Sequence, residues 1–171
     1  MKIIAIDIAY KKPIAYCVLG ERGKLITLAS VEPQNDIYHT STAVLDSIRP
    51  YGKSLVVAEK ILLIHNMNTA FLMAGMGAML EKGVRDYGGI FFQFHPLTWQ
   101  KAMLKPEKGD DRKQLSIDMA LAWLRSIATG NTDNITLTDD QADAMNICLY
   151  AYANKKRILE AISGGKKFSE K

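Results

Sequence analysis

The sequence is poor in the residues that mark zinc proteins and disulfide-stabilised proteins. It has only two cysteines, Cys17 and Cys148, and three histidines among 171 residues. The cysteines lack metal-type spacing, and the histidines share none, so neither a zinc site nor a disulfide framework is indicated. Because both cysteines lie in apolar predicted elements, we expect them to be buried thiols of a cytoplasmic protein.

Long hydrophobic runs are absent as well. No apolar run approaches the roughly 18 residues that a membrane span needs, and the opening stretch IIAID is too short for the apolar part of a signal peptide. We therefore expect no membrane partner. Hydrophobic residues make up 48% and charged residues 23% of the chain, which is an ordinary globular composition.

Excess positive charge is confined to the C-terminal end. Residues 154–171 hold six Lys or Arg against two Glu, which leaves 16 basic and 16 acidic residues in the rest of the chain. A basic tail suits a polyanionic partner, although such tails also serve solubility. We predict one domain over residues 1–160, followed by a basic tail over residues 161–171.

The order of elements predicts an α/β fold. MKIIAIDIAY, PIAYCVLG and KLITLASV are typical of three short strands joined by tight turns. Further elements are predicted as helix 39–49, strand 54–59, helix 66–82 ending near Gly83, strand 89–94, a short helix from Pro96, and helices 111–127 and 138–162. This order predicts a mixed five-stranded sheet, with three antiparallel strands and then two parallel ones, and helices on both faces.

The stretch TDDQADAMNICLYAYA opens the last predicted helix with three acids. Thr138 and Gln141 form a capping box, which makes Asp139 and Asp140 first-turn residues. Helical geometry places Asp140 near the centre of the apolar stripe, Asp143 at its edge, and Asp139 to the side towards solvent. The helix dipole explains Asp139, but a buried unpaired carboxylate is unfavourable. The helical face therefore favours Asp140 as a functional acid, with Asp139 as the alternative.

Two more acids end apolar strands. Asp7 follows IIAI, and Glu59 closes SLVVAE. Any one of these acids alone is more often a surface or capping residue, but four gathered in one place are tolerable only with cations present. Oxygen ligands favour Mg²⁺, with Mn²⁺ as a substitute, over Zn²⁺. Two such ions can activate water and stabilise the leaving oxygen in phosphodiester hydrolysis. We predict that Asp7, Glu59, Asp140 and Asp143 are catalytic metal ligands.

This set of acids resembles the RuvC-type Holliday junction resolvases of the ribonuclease H-like superfamily. The resemblance rests on Asp7 in the first strand, Glu59 ending the fourth strand, and DQADA (140–144) opening the last helix. It continues through EKILLIHNMNTAFLMAGMGAML and HPLTWQKAML to about residue 155. It implies a ribonuclease H-like fold and a homodimer that cuts two opposed strands of a four-way DNA junction, in DNA recombination and repair.

The resemblance also implies residues that contact DNA. Lys113 matches a basic residue near the scissile phosphate, and Lys101 matches a DNA contact. Leu62 falls where many members carry an aromatic residue that probes the junction centre, and Asn66 matches the asparagine that begins the next helix. The compact, divergent chain suggests a phage or prophage member, whose location would be the host cytoplasm.

A basic segment precedes the fourth helix. KAMLKPEKGDDRK (101–113) holds Lys101, Lys105, Lys108 and Lys113. As a solvated loop it would need no further explanation. Beside a cluster of acids, we expect these lysines to contact the phosphate backbone, in a manner that weakens as salt rises.

Two departures from the family pattern bear on the substrate. The glycine that usually follows the first Asp is absent from the stretch Ile8-Ala9-Tyr10, and Leu62 cannot stack on a base as an aromatic ring does. We therefore expect a metal-dependent endonuclease that leaves 5′-phosphates and cuts four-way junctions or a broader range of branched DNA. Trp99 is expected to be a core residue.

Three other functions were weighed. A ribonuclease H-like nuclease acting on RNA-containing hybrids would use the same acids. A non-catalytic protein that binds branched DNA is disfavoured, because binding alone does not need negative charge where a phosphate must sit. An actin-like ATPase is disfavoured, because the chain is too short for two such domains and lacks their glycine-rich phosphate turns.

Overall fold

A computed structural model describes residues 1–61, 66–127 and 134–164. Its five strands are β1 (Lys2–Asp7), β2 (Ile14–Leu19), β3 (Leu25–Val31), β4 (Ser54–Glu59) and β5 (Ile90–Phe94). They form one sheet in the order β3-β2-β1-β4-β5. The β1–β2 and β2–β3 pairs are antiparallel, and the β1–β4 and β4–β5 pairs are parallel. The predicted mixed five-stranded sheet is confirmed, with β1 at its centre.

Helices cover both faces of this sheet, as predicted. They are α1 (Ile37–Ile48), α2 (Met67–Asp86), α3 (Pro96–Met103), α4 (Arg112–Ile127), α5 (Asp139–Ala153) and α6 (Lys155–Gly164). One face packs its apolar residues against α1 and α2. The other face packs against α3, α4, α5 and α6. In the described ranges, no helix is long and apolar enough to cross a membrane.

The second helix is longer than its sequence predicts. Gly83 was expected to end it, but α2 continues through Gly83 to Asp86. A Cβ atom at Gly83 would lie 2.3 Å from Cδ1 and 3.1 Å from Cγ of Leu45 on α1. Glycine therefore occurs here because α1 and α2 approach closely, and the predicted helix end at this residue was wrong.

The predicted helix 138–162 is two helices, because the chain leaves helical geometry at Asn154. The Asn154 side-chain Nδ2 donates a hydrogen bond of 2.9 Å to the carbonyl oxygen of Tyr150. An asparagine side chain that takes over a terminal carbonyl in this way competes with helix continuation. The next helix, α6, passes residue 160 and ends at Gly164. The division into a domain and a basic tail remains a prediction, and residues 165–171 lie outside the described ranges.

The close approach of α1 and α2 can be tested at Gly83. We expect Gly83→Ala to destabilise the protein by about 1–2 kcal/mol, because the added methyl group overlaps the Leu45 side chain. In the Leu45→Ala background the same substitution should stabilise by up to about 1 kcal/mol, since alanine then contributes only its higher helix propensity. Urea unfolding of the two single variants and the double variant measures this reversal. Stabilisation by Gly83→Ala in the wild-type background would contradict the packing explanation.

Candidate active site

The carboxyl ends of β1 and β4 carry one acid each, on the same face of the sheet. Asp7 follows Ala5 by two residues and Glu59 follows Val57 by two. Ala5 and Val57 both belong to the core beneath α5. Because strand side chains alternate between faces, Asp7 and Glu59 also point to the α5 side. The parallel strands are paired in register up to the residue before each acid, so the two acids lie side by side.

The first two turns of α5 bring three more acids to this edge. The predicted capping box is present: Thr138 Oγ1 accepts the Gln141 N–H at 3.1 Å, and Gln141 Oε1 accepts the Thr138 N–H at 3.2 Å. It fixes the helix start so that Asp139 and Asp140 lie in the first turn and Asp143 one turn later.

The buried surface of α5 extends over more of the helix than the apolar stripe predicted from its sequence. Its buried residues are Ala142, Ala144, Met145, Asn146, Ile147, Cys148, Tyr150 and Ala151. Asp140 and Asp143 are only partly exposed at its entrance, rather than in the buried centre where Asp140 was expected. Because α5 packs directly on β1 and β2, its acids face the end of β1.

The electrostatics of Asp7 show that these acids gather in one place. Burial raises the pKa of Asp7 well above its usual range, and the negative charges of Asp143, Glu59, Asp140 and Asp139, in decreasing order, raise it further. All four acids predicted to act together are therefore neighbours. Their catalytic and metal-binding roles remain predictions.

Two of the acids, one on β4 and one on α5, each accept a hydrogen bond from a side chain on a neighbouring helix. Trp99 Nε1 on α3 donates to Glu59 Oε1 at 2.5 Å, and the Ser116 hydroxyl on α4 donates to Asp143 Oδ1. Burial raises the pKa of Glu59 and of Asp143, while these hydrogen bonds partly oppose the rise because they stabilise the charged form. Trp99 is fully buried, as predicted for a core residue.

A buried asparagine fixes the direction of the second hydrogen bond. Asn146 Nδ2 donates to both the hydroxyl and the backbone carbonyl of Ser116, each at 2.9 Å. Since a hydroxyl has a single hydrogen, and Asn146 donates to its oxygen, that hydrogen is directed at Asp143. The chain from Asn146 through Ser116 thus presents a donor to Asp143 and fixes the orientation of its carboxylate.

A salt bridge distinguishes Asp139 from Asp140. Lys113 Nζ pairs with Asp139 Oδ2, which lowers the pKa of Asp139 and raises that of Lys113. The Lys113 side chain is 69% exposed, and that of Asp139 30%. Asp140 also raises the pKa of Asp7 more than Asp139 does. These contacts support Asp140 as the first-turn acid of the cluster.

The cluster suits a divalent cation by donor chemistry. Its side chains offer carboxylate oxygens, the ligands that Mg²⁺ and Mn²⁺ prefer. Burial is the main cause of the raised pKa of Asp7, and neighbouring negative charge, which a cation would offset, is the second. In residues 1–61, 66–127 and 134–164, no three acidic, histidine or cysteine side chains are already arranged to hold a metal ion. Binding one therefore requires the carboxylates to rotate towards a common point. Asp7, Glu59, Asp140 and Asp143 are the residues that would hold it.

The predicted DNA contacts in the described residues lie at the start of α2, on α3, in the loop after α3 and at the start of α4. Asn66 caps α2, where its Oδ1 accepts the Thr69 N–H at 3.2 Å. Lys101 and Lys105 line a pocket between α3 and α4, whereas Lys108 is exposed in the loop between these helices. Leu62 lies outside the described residues.

Four residues around the site were missed from the sequence: Trp99 and Ser116, which donate to the acids, Asn146, and Arg112 in the pocket. Asn146 offered a signal, because a polar side chain within the apolar run AMNICLY needs a buried partner. Trp99 and Ser116 gave no comparable signal, since their partners lie 40 and 27 residues away in the chain.

Comparison with solved structures identifies the fold. No protein-family model and no curated protein matches the chain by sequence. Thermus thermophilus RuvC in complex with a Holliday junction substrate matches with a TM-score of 0.70 at 14% identity, covering 91% of this chain and 96% of that one. The Fowlpox virus resolvase in complex with Holliday junction DNA matches with a TM-score of 0.65 at 19% identity, covering 91% and 99%. The Fowlpox virus Holliday junction resolvase alone gives 0.67 at 17%, covering 90% and 99%. At these identities the likeness shows the fold, which is the predicted ribonuclease H-like fold of RuvC-type resolvases.

The electrostatic state of the cluster can be tested with Asp7→Asn. Without divalent cations, this variant should be more stable than the wild type, because it removes one charge from a buried cluster of like charges. Each kcal/mol recovered would raise Tm by about 2–4 °C. Because the raised pKa of Asp7 makes the folded protein take up a proton before the unfolded chain does, the difference should shrink as pH falls.

Added Mg²⁺ should then raise Tm more in the wild type than in Asp7→Asn. Asp46→Asn is a matched control, since Asp46 is an exposed acid on α1, paired with Arg49. Equal Mg²⁺ stabilisation of the wild type and Asp7→Asn would show that Asp7 takes no part in metal binding.

The hydrogen bond to Asp143 gives a further prediction. Ser116→Ala should lower the free energy of unfolding by about 1–2 kcal/mol, since Asn146 loses one acceptor and Asp143 loses its donor. It should also raise the Mg²⁺ concentration needed for half-maximal thermal stabilisation, because Asp143 is no longer held in place. Ser126→Ala, which removes an exposed hydroxyl from the same helix, is the control. An unchanged Mg²⁺ midpoint in Ser116→Ala would refute the positioning role.

Proposed function

We propose that the chain is a divalent-metal-dependent, structure-selective DNA endonuclease of the RuvC type, which resolves Holliday junctions or other branched DNA. One observation carries this proposal. A fold like that of resolvases solved with junction DNA gathers Asp7, Glu59, Asp140 and Asp143 at the carboxyl end of its central strands. Carboxylates concentrated where a phosphate must bind have a chemical use only if cations join them.

The four acids would act in hydrolysis by binding the metal ions. Asp7, Glu59, Asp140 and Asp143 would hold Mg²⁺ or Mn²⁺, with two ions per site. Bound cations would supply the activation of water and the neutralisation of the leaving oxygen. The water oxygen forms a bond to phosphorus in line with the departing 3′-oxygen, so the products are a 3′-hydroxyl and a 5′-phosphate.

Supporting residues keep this arrangement in place. Trp99 and Ser116 orient Glu59 and Asp143 through their hydrogen bonds. Lys113 lies at the exposed rim of the cluster on Asp139, from where it would turn to the phosphate and stabilise the charge that develops there.

The proposed partner is four-way or other branched DNA. Lys101, Lys105, Lys108 and Lys113 would contact backbone phosphates, which position DNA without reading its sequence. Leu62 and Asn66 follow Glu59 in the chain and would face the branch point. A homodimer is proposed because symmetrical cleavage of two opposed strands needs two active sites. Such an enzyme would serve DNA recombination and repair in the cytoplasm, or in that of the host for a phage member.

The proposal is tested by cleavage of end-labelled substrates in Mg²⁺ or Mn²⁺. A four-way junction, a Y-fork, a linear duplex and an RNA–DNA hybrid should be compared. We expect paired symmetrical nicks in the junction, with 5′-phosphate ends. Asp7→Asn should lower the rate by at least about 100-fold while junction binding survives. Loss of a residue that only supports a metal ligand already lowers activity by up to about 100-fold, and loss of the ligand itself should cost no less.

Asp118→Asn is the control, because Asp118 is an exposed acid of α4 that accepts a hydrogen bond from Gln114. Equal cutting of fork and junction would retain the chemistry and broaden the substrate. Cutting of the hybrid alone would point to a ribonuclease H-like activity. Absence of metal-dependent cutting of any substrate would refute the nuclease proposal.

A further inference from the structure

A basic pocket lies next to the acid cluster, between α3 and the start of α4. It has a volume of about 350 Å³. Its lining residues are Leu97, Gln100, Lys101, Lys105, Pro106 and Arg112. Three of these six side chains are cationic, and none is acidic. The pocket therefore presents a concentrated positive charge in a concave surface, which is the setting in which an anion is bound.

The three cations of this pocket are not held in ion pairs among the described residues. In the part of the chain that the structure describes, Lys101, Lys105 and Arg112 form no salt bridge. The aspartates that precede Arg112 accept hydrogen bonds from the backbone instead: Asp110 from the Glu107 N–H at 2.7 Å, and Asp111 from the Lys113 N–H at 2.9 Å. The cations remain available for a ligand.

The backbone at Lys105 has a conformation that lysine seldom adopts. Lys105 has φ = 46°, in the left-handed region where glycine is the favoured residue. A lysine is less stable there than in the right-handed conformation, because its Cβ atom crowds the backbone. The turn between α3 and Pro106 would form more easily with glycine, which would remove one of the three cations from the pocket.

The first residues of α4 connect this pocket to the acid cluster. Arg112 lines the pocket, whereas the next residue, Lys113, reaches Asp139. Consecutive helical residues point about 100° apart, and their Cα atoms are about 3.8 Å apart. The pocket and the acids therefore flank one turn of helix, and a single extended polyanion can contact both.

We propose that this pocket binds a non-scissile phosphate of the DNA strand that is cut, and so sets the position of the scissile phosphate over the acids. This inference rests on the proposed nuclease function. Arg112 offers a planar fork that matches two phosphate oxygens, and the two lysines add point charges. Leu97, which is 39% exposed, and Pro106 provide apolar surface for the adjoining sugar. Contacts of this kind position the DNA without base specificity.

The first test measures binding of a four-way junction as a function of salt, in Ca²⁺ or EDTA so that cleavage does not interfere. Replacing Lys105 and Arg112 by glutamine should weaken binding, and should reduce the slope of log K against log salt by about one, since the pocket holds one phosphate and each phosphate contact contributes about 0.9. Lys53→Gln is the control, because Lys53 is an exposed cation before β4, at the opposite edge of the sheet from the acids. Its slope should equal that of the wild type, because Lys53 contacts no phosphate in this account.

The second test locates the phosphate. Single neutral methylphosphonates are placed along the cleaved strand of the junction. One non-scissile position should weaken wild-type binding and yet have no further effect in the Lys105/Arg112 double variant, because the phosphate and the cations form one interaction. At that position the wild type should also lose accuracy of the cut site. Arg112→Lys should keep most of the salt slope and lose part of the affinity, because it keeps the charge but not the fork.

The outcomes separate this inference from the nuclease proposal. An unchanged salt slope in the double variant, or additive effects at every methylphosphonate position, would overturn the pocket inference while wild-type cleavage continued. Binding of free inorganic phosphate by the pocket, without any effect on junction binding, would also overturn it. A wild type that neither binds nor cuts branched DNA would overturn both proposals.

Discussion

The fold is organised around an unfavourable electrostatic arrangement, namely carboxyl groups of like charge that are partly buried at one edge of the sheet. Asp7 ends the central strand, and its burial, together with the charges of four other acids, raises its pKa. Such a cluster opposes folding at neutral pH. It persists because α5 is packed into the core on several sides and cannot withdraw its first turn from the end of β1. Apolar packing stabilises the fold, and the acids proposed to act in catalysis lie where that packing ends.

Two helices on this face contribute polar contacts to the cluster, one from α3 and two from α4. Trp99 of α3 holds Glu59, Ser116 of α4 holds Asp143, and Lys113 of α4 holds Asp139. The acids are thus oriented by residues whose backbones are fixed in helices. Helices hold side chains in position more rigidly than loops do. The start of α4 has a second role in this account, because Arg112 belongs to the basic pocket beside the acids.

Local patterns in the sequence were sufficient for the strands, for the mixed sheet and for the position of Asp7 and Glu59 at the ends of their strands, whereas the roles of the four acids remain predictions. The alternation towards Asp7 in the first strand, the continuous apolar run SLVVAE and the capping box at Thr138 depend on neighbours in the chain, and the structure confirms the two strands and the helix start. Contacts between distant residues were not accessible in this way. Gly83 was predicted to end α2, because its contact with Leu45 on another helix leaves no local signature. The hydrogen bonds of Trp99 and Ser116 to the acids were missed for the same reason.

The central claim is that the four acids bind divalent cations together, and diffraction from Mn²⁺-soaked crystals tests it most directly. Anomalous scattering at the manganese edge locates the ions without reference to activity. The account predicts two Mn²⁺ ions, roughly 3.5–4 Å apart, bound by oxygens of Asp7, Glu59, Asp140 and Asp143. Manganese absent from the cluster, or bound there without Asp7, would contradict it.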